Sequence, residues 1–231
     1  MTEFHLGINN CFAVKRWPLA ENWAEICAKD LGLKWVQFSF DLLDPRTTQP
    51  AWSWMVTETL EAMKAHGLTI HSTFTGLAAY SFNLLTHPNP GMRIDAVDWF
   101  VKAIGVTARL NVKVTGGHLA AQSYPDYRDD QRRRLMEDTL VENLRFLSSW
   151  AAGMKLEMLL WEPMPLLRET PCTISDAKRL LTRVNAGAGV PVKLAIDTGH
   201  QCTVGVEARD LDTYAWLREL GSESPVVHVQ Q

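Results

Sequence analysis

Leu194-Ala195-Ile196-Asp197-Thr198-Gly199-His200 decides how this chain is read. A short apolar run ends in a carboxylate, Gly199 permits a sharp turn, and His200 returns three residues after the acid. Such a run bounded by turn residues reads as a buried strand of a parallel sheet. Two other stretches repeat the arrangement. Met158-Leu159-Leu160-Trp161 leads into Glu162-Pro163, and Val226-Val227 leads into His228-Val229-Gln230-Gln231. The intervals between them fit one strand–helix unit each. Side chains so far apart meet only if their strands lie side by side with their carboxyl ends together, which predicts a metal-capable site at the open end of a barrel.

Outward from these stretches, strand-like and helix-like segments alternate. Strands are predicted over residues 4–11, 35–40, 68–74, 112–115, 156–161, 192–196 and 226–229. Helices are predicted over residues 20–31, 52–65, 94–108, 130–152, 174–185 and 211–220, with a loop over residues 75–91. Gly32, Gly67 and Gly153 read as helix stops, and Thr173 as an N-cap with Asp176 in the first turn. Strictly alternating elements indicate an α/β fold with a parallel sheet. The expected architecture is a (β/α)8-type TIM barrel in a single domain over residues 1–231, with the eighth βα unit missing. A doubly wound open sheet is the competing design. It would place a Gly-rich phosphate turn after the first strand, and Gly7-Ile8-Asn9-Asn10-Cys11-Phe12 supplies none.

Composition excludes several function classes. The chain has 231 residues, 46% of them hydrophobic, enough for a sizeable core. Lys plus Arg number 23 against 26 Asp plus Glu, a formal net charge of −3. Arg132-Arg133-Arg134 sits among Asp129, Asp130, Glu137 and Asp138 and reads as a solvated helix face, so no nucleic-acid partner is expected. Cys11, Cys27, Cys172 and Cys202 form no CxxC pair and are expected to stay reduced. Met1-Thr2-Glu3-Phe4-His5 lacks the features of a leader, and no apolar run approaches membrane-span length. The expected setting is cytoplasmic, with no membrane partner; a homo-oligomer is compatible with the sequence.

Glu162, Asp197 and His228 are the candidate metal ligands. Each has an ordinary alternative: a helix-capping or surface acid for Glu162 and Asp197, and a satisfied core imidazole for His228. Their shared position at strand ends favours ligation. Two carboxylates and one imidazole make a hard, mainly oxygen-donor set that suits Mn²⁺ first, with Mg²⁺, Co²⁺ or Zn²⁺ as alternatives. His71 in the third strand and His118 after Gly116-Gly117 are candidates for a polar pocket, with backbone satisfaction as their other reading. Arg168-Glu169 could clamp an anion and a hydroxyl or form an exposed ion pair.

With these positions in place, the chain resembles the xylose-isomerase-like barrel superfamily of sugar and sugar-phosphate isomerases and epimerases. Glu162, Asp197 and His228 match the first three of that superfamily's four ligands, and Asp197-x-x-His200 matches its acid-and-histidine motif. The run from His71 to Ser81, together with Gly116-Gly117-His118, Arg168-Glu169 and His228 to Gln231, is similar to the D-erythrulose phosphate epimerases of tetritol breakdown. The resemblance implies one divalent metal and a small ketose-phosphate substrate such as D-erythrulose 1-phosphate. It implies proton removal beside the carbonyl through an enediolate. It casts Glu162 as base and ligand, and His71, His118, Arg168, Glu169 and His200 as substrate contacts. The superfamily's fourth ligand is a Glu of an eighth strand, which this sequence lacks, so it is expected to be a fragment. Two alternatives remain: an endonuclease IV-like metal-dependent phosphodiesterase using more histidines, and a non-catalytic sugar-phosphate binder.

Overall fold

Each strand pairs in parallel with its neighbour in sequence, giving one seven-stranded sheet in the order β1 to β7. The strands are β1 Gly7–Asn9, β2 Trp35–Ser39, β3 Thr69–Phe74, β4 Val114–Gly117, β5 Met158–Trp161, β6 Val192–Asp197 and β7 Val226–His228. The helices are α1 Ala20–Glu25, α2 Ala51–Ala65, α3 Pro90–Arg109, α4 Tyr124–Arg128, α5 Asp130–Gly153, α6 Ile174–Asn185 and α7 Thr213–Leu220. This computed structural model describes residues 4–230; Met1 to Glu3 and Gln231, which carry part of the leader reading and of the last motif, lie outside it.

The sheet curls on itself. His228 on β7 reaches Gln37 on β2 at 2.9 Å, and its ring lies 4.8 Å from that of Phe74 on β3. The result is the (β/α)8 barrel architecture, seven of whose units lie among the described residues.

Strand alternation assigns the faces. Phe74, Val114, Leu160 and Ala195 pack together inside the barrel, with Met158 and Val226 against them. Leu159, Trp161, Leu194 and Ile196 point the other way, into a cluster shared with Leu140, Leu144, Leu180 and Trp216 of the helices. A period of two then carries Glu162, Asp197 and His228 onto the inner face, and Asp197 pairs with His228 across β6 and β7.

The helices form for local reasons. In α6, Ile174, Ala177, Leu180, Leu181 and Val184 are buried at helical spacing, and Thr173 Oγ1 accepts from Asp176 N at 3.1 Å. Full burial of each such leucine stabilises by about 1.5–3 kcal/mol. The expected helix over 94–108 starts earlier, at Pro90, because Asn89 caps it with Oδ1 accepting from Gly91 N. The expected helix over 20–31 ends as α at Glu25 and continues as a π turn over Ile26–Asp30. The Arg triplet faces solvent, with Arg132 on Asp126 and Arg133 on Asp130. All four cysteines are free, and no described helix is long and apolar enough to cross a membrane.

Two glycines set the approach of β4. A Cβ on Gly116 would sit 2.0 Å from the Leu160 carbonyl oxygen, and one on Gly117 2.0 Å from Thr75 Oγ1. That same hydroxyl accepts from His118 N at 2.9 Å, so only glycine lets the strand deliver His118 where it stands.

Candidate active site

Glu162 and Asp197 are almost fully buried at the mouth of the barrel, where a bare carboxylate is costly. One oxygen of each is engaged. Glu162 Oε2 accepts a 2.6 Å hydrogen bond from the Tyr80 hydroxyl. Asp197 Oδ1 accepts from Gly199 N at 2.7 Å and from Gln230 Nε2 at 2.8 Å. The other two oxygens, Glu162 Oε1 and Asp197 Oδ2, face His228 Nδ1 at 3.5 and 3.9 Å.

Gln37 sets the tautomer of that imidazole. Its Oε1 accepts from Asn9 Nδ2 at 2.8 Å, and its Nε2 donates to Ser72 Oγ at 3.1 Å. The amide therefore turns its carbonyl oxygen to His228, whose Nε2 carries the proton and donates. Nδ1 is left as a lone pair aimed at two carboxylate oxygens. Three electron-rich atoms converging in a buried mouth repel one another unless a cation or a proton lies between them. The donor set fits a divalent cation, and each donor has the outer partner that such sites use for orientation.

His200 stands beside this group. Its Nδ1 donates to the Pro163 carbonyl at 2.9 Å, which leaves Nε2 facing Asp197 Oδ2 at 4.0 Å. Glu162, Asp197 and His200 each bring one ligand-capable atom to within 4.8 Å of the others. The paired acids are thus flanked by two imidazoles.

His118 lies under Tyr80, with ring centroids 5.1 Å apart and planes 16° from parallel. It is 1% exposed, and neither ring nitrogen has a partner among the described residues. Burial pushes its pKa down from 6.5 to about 4. Because the folded pKa is the lower one, the unfolded chain takes up the proton first as pH falls. Stability from this group is complete above about pH 6.5 and declines between there and about pH 4, by roughly 3 kcal/mol in all. Urea unfolding of the metal-free protein across that window is expected to show the decline, and His118→Phe to flatten it. Equal slopes in both proteins would contradict the assignment.

Glu169 is buried, and burial raises its pKa above the usual value against the opposing pull of Arg168, whose Nη2 lies 3.8 Å from Oε1. Arg168 Nη1 also donates to the Gln122 carbonyl, and Gln122 N donates to the Arg168 carbonyl, tying the loop after β5 to the loop after β4.

The structure brings together Glu162, Asp197, His228 and His200, with His118 joined to them through Tyr80, and with Glu169 near enough to His200 to feel its charge and paired with Arg168. It does not bring in His71. That residue falls where the register of β3 against β2 slips by one, between the pairs Val36–Ile70 and Gln37–Ser72, and it is exposed, packed edge-on against Trp35, on which His5 also rests. His71 thus lies beside Trp35 and His5 near the start of the strands, while Ser72, one residue on, reaches Gln37 and Phe74 reaches His228. The sequence assigns no individual site role to Tyr80, Gln37 or Gln230, although Tyr80 and Gln230 lie in runs that carry the family resemblance. Gln37 carried a usable signal, as an amide in the middle of the apolar run Trp35-Val36-Gln37-Phe38.

The family described as xylose isomerase-like TIM barrel matches residues 27–230. The chain belongs to that family. This xylose isomerase-like barrel is 27% identical over 227 residues to D-erythrulose 1-phosphate 3-epimerase of Brucella abortus (strain 2308), covering 98% of the chain and 73% of that protein. It superposes at a TM-score of 0.93 and 31% identity on a crystal structure from Rhodospirillum rubrum ATCC 11170, provisionally described as a xylose isomerase, covering 99% of the chain and 77% of the other. D-psicose 3-epimerase from Clostridium cellulolyticum H10 shares the fold at a TM-score of 0.71 and 18% identity, over 99% of the chain and 73% of that enzyme.

Proposed function

We propose that the chain is a divalent-metal-dependent epimerase or isomerase of a small ketose phosphate, with a tetrulose phosphate such as D-erythrulose 1-phosphate as first candidate. The observation that carries this reading is the convergence of Glu162 Oε1, Asp197 Oδ2 and His228 Nδ1 at the barrel mouth. Similarity to a D-erythrulose 1-phosphate 3-epimerase over nearly the whole chain supports the substrate class.

A proton on carbon beside a carbonyl is barely acidic, so the reaction needs charge stabilisation and a positioned base. A divalent ion held by Glu162, Asp197 and His228, Mn²⁺ first, supplies Lewis acidity toward the carbonyl and neighbouring hydroxyl oxygens. Glu162 takes the proton on Oε2, the oxygen turned away from the donor cluster, and the electron pair left on carbon delocalises to the carbonyl oxygen. Inversion needs a second acid on the opposite face to return a proton, a role that the family resemblance gives to a Glu of an eighth strand; return from Glu162 to the neighbouring carbon instead yields the isomer. His200, held by the Pro163 carbonyl, and His118, with both nitrogens unpartnered, orient substrate hydroxyls. Glu169 and Arg168 line the same side and contact the hydroxylated chain.

Exchange of the substrate α-proton with D2O tests this reading, because it needs only the first proton transfer. With Mn²⁺ added, exchange followed by proton NMR is expected for a tetrulose phosphate, to vanish with a chelator and to return with excess Mn²⁺. No exchange in any tetrulose or pentulose phosphate with Mn²⁺ bound would overturn it.

A further inference from the structure

Tyr80 belongs to the stretch 75–91, for which the sequence predicts a loop. It sits instead on a short 3-10 helix, Leu77–Ser81. The start of that turn is tied down: Asp41 Oδ2 accepts from Leu77 N at 2.9 Å and from Ser39 Oγ at 3.1 Å. A Cβ on Gly76 would fall 2.1 Å from Asp41 Oδ1, so the close approach depends on glycine there. The Tyr80 ring rests on the buried His118 ring, and its hydroxyl ends 2.6 Å from Glu162 Oε2. Three separate contacts therefore aim one phenol at one carboxylate oxygen.

We propose that Tyr80 is the positioning residue that divides the two oxygens of Glu162, sending Oε1 to the ion and reserving Oε2 for the proton. The inference rests on the reading of Glu162 as both ligand and base. A carboxylate can hold a cation through one oxygen or both. A phenol donating to a carboxylate at this distance makes a short, charge-assisted bond and occupies a lone pair that two-oxygen binding would need. Oε1 is then the single ligand oxygen, and the second lone pair of Oε2 stays free to receive the proton. Without the hydroxyl, the carboxylate is free to rotate and close both oxygens on the ion, which lowers its competence as a base.

Tyr80→Phe keeps the ring on His118 and removes only the donor. The test loads wild type and variant with Co²⁺ alone, records the visible absorption spectrum, and then measures α-proton exchange. The expected result is a changed spectrum in the variant, weaker as the coordination number rises, with kcat for exchange down roughly 10–100-fold and KM little altered. A variant with the wild-type spectrum overturns the proposal, whether or not its kcat falls, because a merely structural ring or a substrate contact leaves the ion's surroundings unchanged. Should Tyr80→Phe fail to fold, Asp41→Ala, which frees the turn and leaves the phenol intact, carries the test under the same criteria. Wild type that takes up no Co²⁺ overturns this inference together with the proposed function. Wild type that binds Co²⁺ beside an unchanged variant overturns this inference alone.

Discussion

Glu162→Gln is expected to abolish exchange of the substrate α-proton with solvent, by roughly 10³-fold or more. Positioned general-base catalysis alone contributes about 10²–10⁴-fold, and the substitution would also replace the proposed anionic ligand with a neutral one. The geometry makes the result interpretable. The amide is nearly isosteric with the acid, and its oxygen can still accept from the Tyr80 hydroxyl. The side chain therefore keeps its place among Leu160, Trp161 and the other buried residues of β5. Thermal unfolding close to that of wild type would separate lost chemistry from lost structure. Undiminished exchange in a folded Glu162→Gln protein would remove Glu162 from the mechanism.

Asp197→Asn should be as damaging through a different route. Oδ1 of Asp197 accepts from both Gly199 N and Gln230 Nε2, so an Asn there must keep its carbonyl oxygen in that place. Its NH2 group then takes the position of Oδ2, facing His228 Nδ1. A donor stands where the proposed ion would need a lone pair, and one negative charge is gone. Changing a residue that merely orients a ligand costs about 10–100-fold in metal affinity, so loss of a ligand should weaken Mn²⁺ by more than roughly 100-fold. Calorimetric titration of the two proteins with Mn²⁺ measures the difference. Equal affinities would place the ion elsewhere.

The parts of this molecule legible in sequence are those that follow a local rule. Seven strand positions were readable because apolar runs bounded by turn residues recur at a regular interval, and α6 because Thr173 and a helical apolar stripe mark it. Glu162, Asp197 and His228 stood out as polar side chains directly after such runs. Side-chain parity was harder, and His71 shows why. Alternation runs back from Phe74 to Ser72 and then breaks, because the β2–β3 register slips between Val36 and Gln37 and Ile70 packs on the helix side; nothing in Thr69-Ile70-His71-Ser72-Thr73-Phe74 marks the slip. The supporting layer was harder still. Gln37 meets His228 across 191 residues and Tyr80 meets Glu162 across 82, contacts created by barrel curvature that no window of sequence contains. Short capped turns escaped for the opposite reason. Ser123 caps α4 through Asp126 N, yet the five-residue helix is too brief to show an apolar period.

A single ion shared by residues from three strands is the claim on which the rest depends. Crystals of the protein soaked in Mn²⁺ and measured near the manganese absorption edge would locate it directly. One anomalous peak is expected at the barrel mouth, within about 2.0–2.4 Å of Glu162 Oε1, Asp197 Oδ2 and His228 Nδ1. A peak outside that triangle, or no peak at an Mn²⁺ concentration that supports exchange, would contradict it.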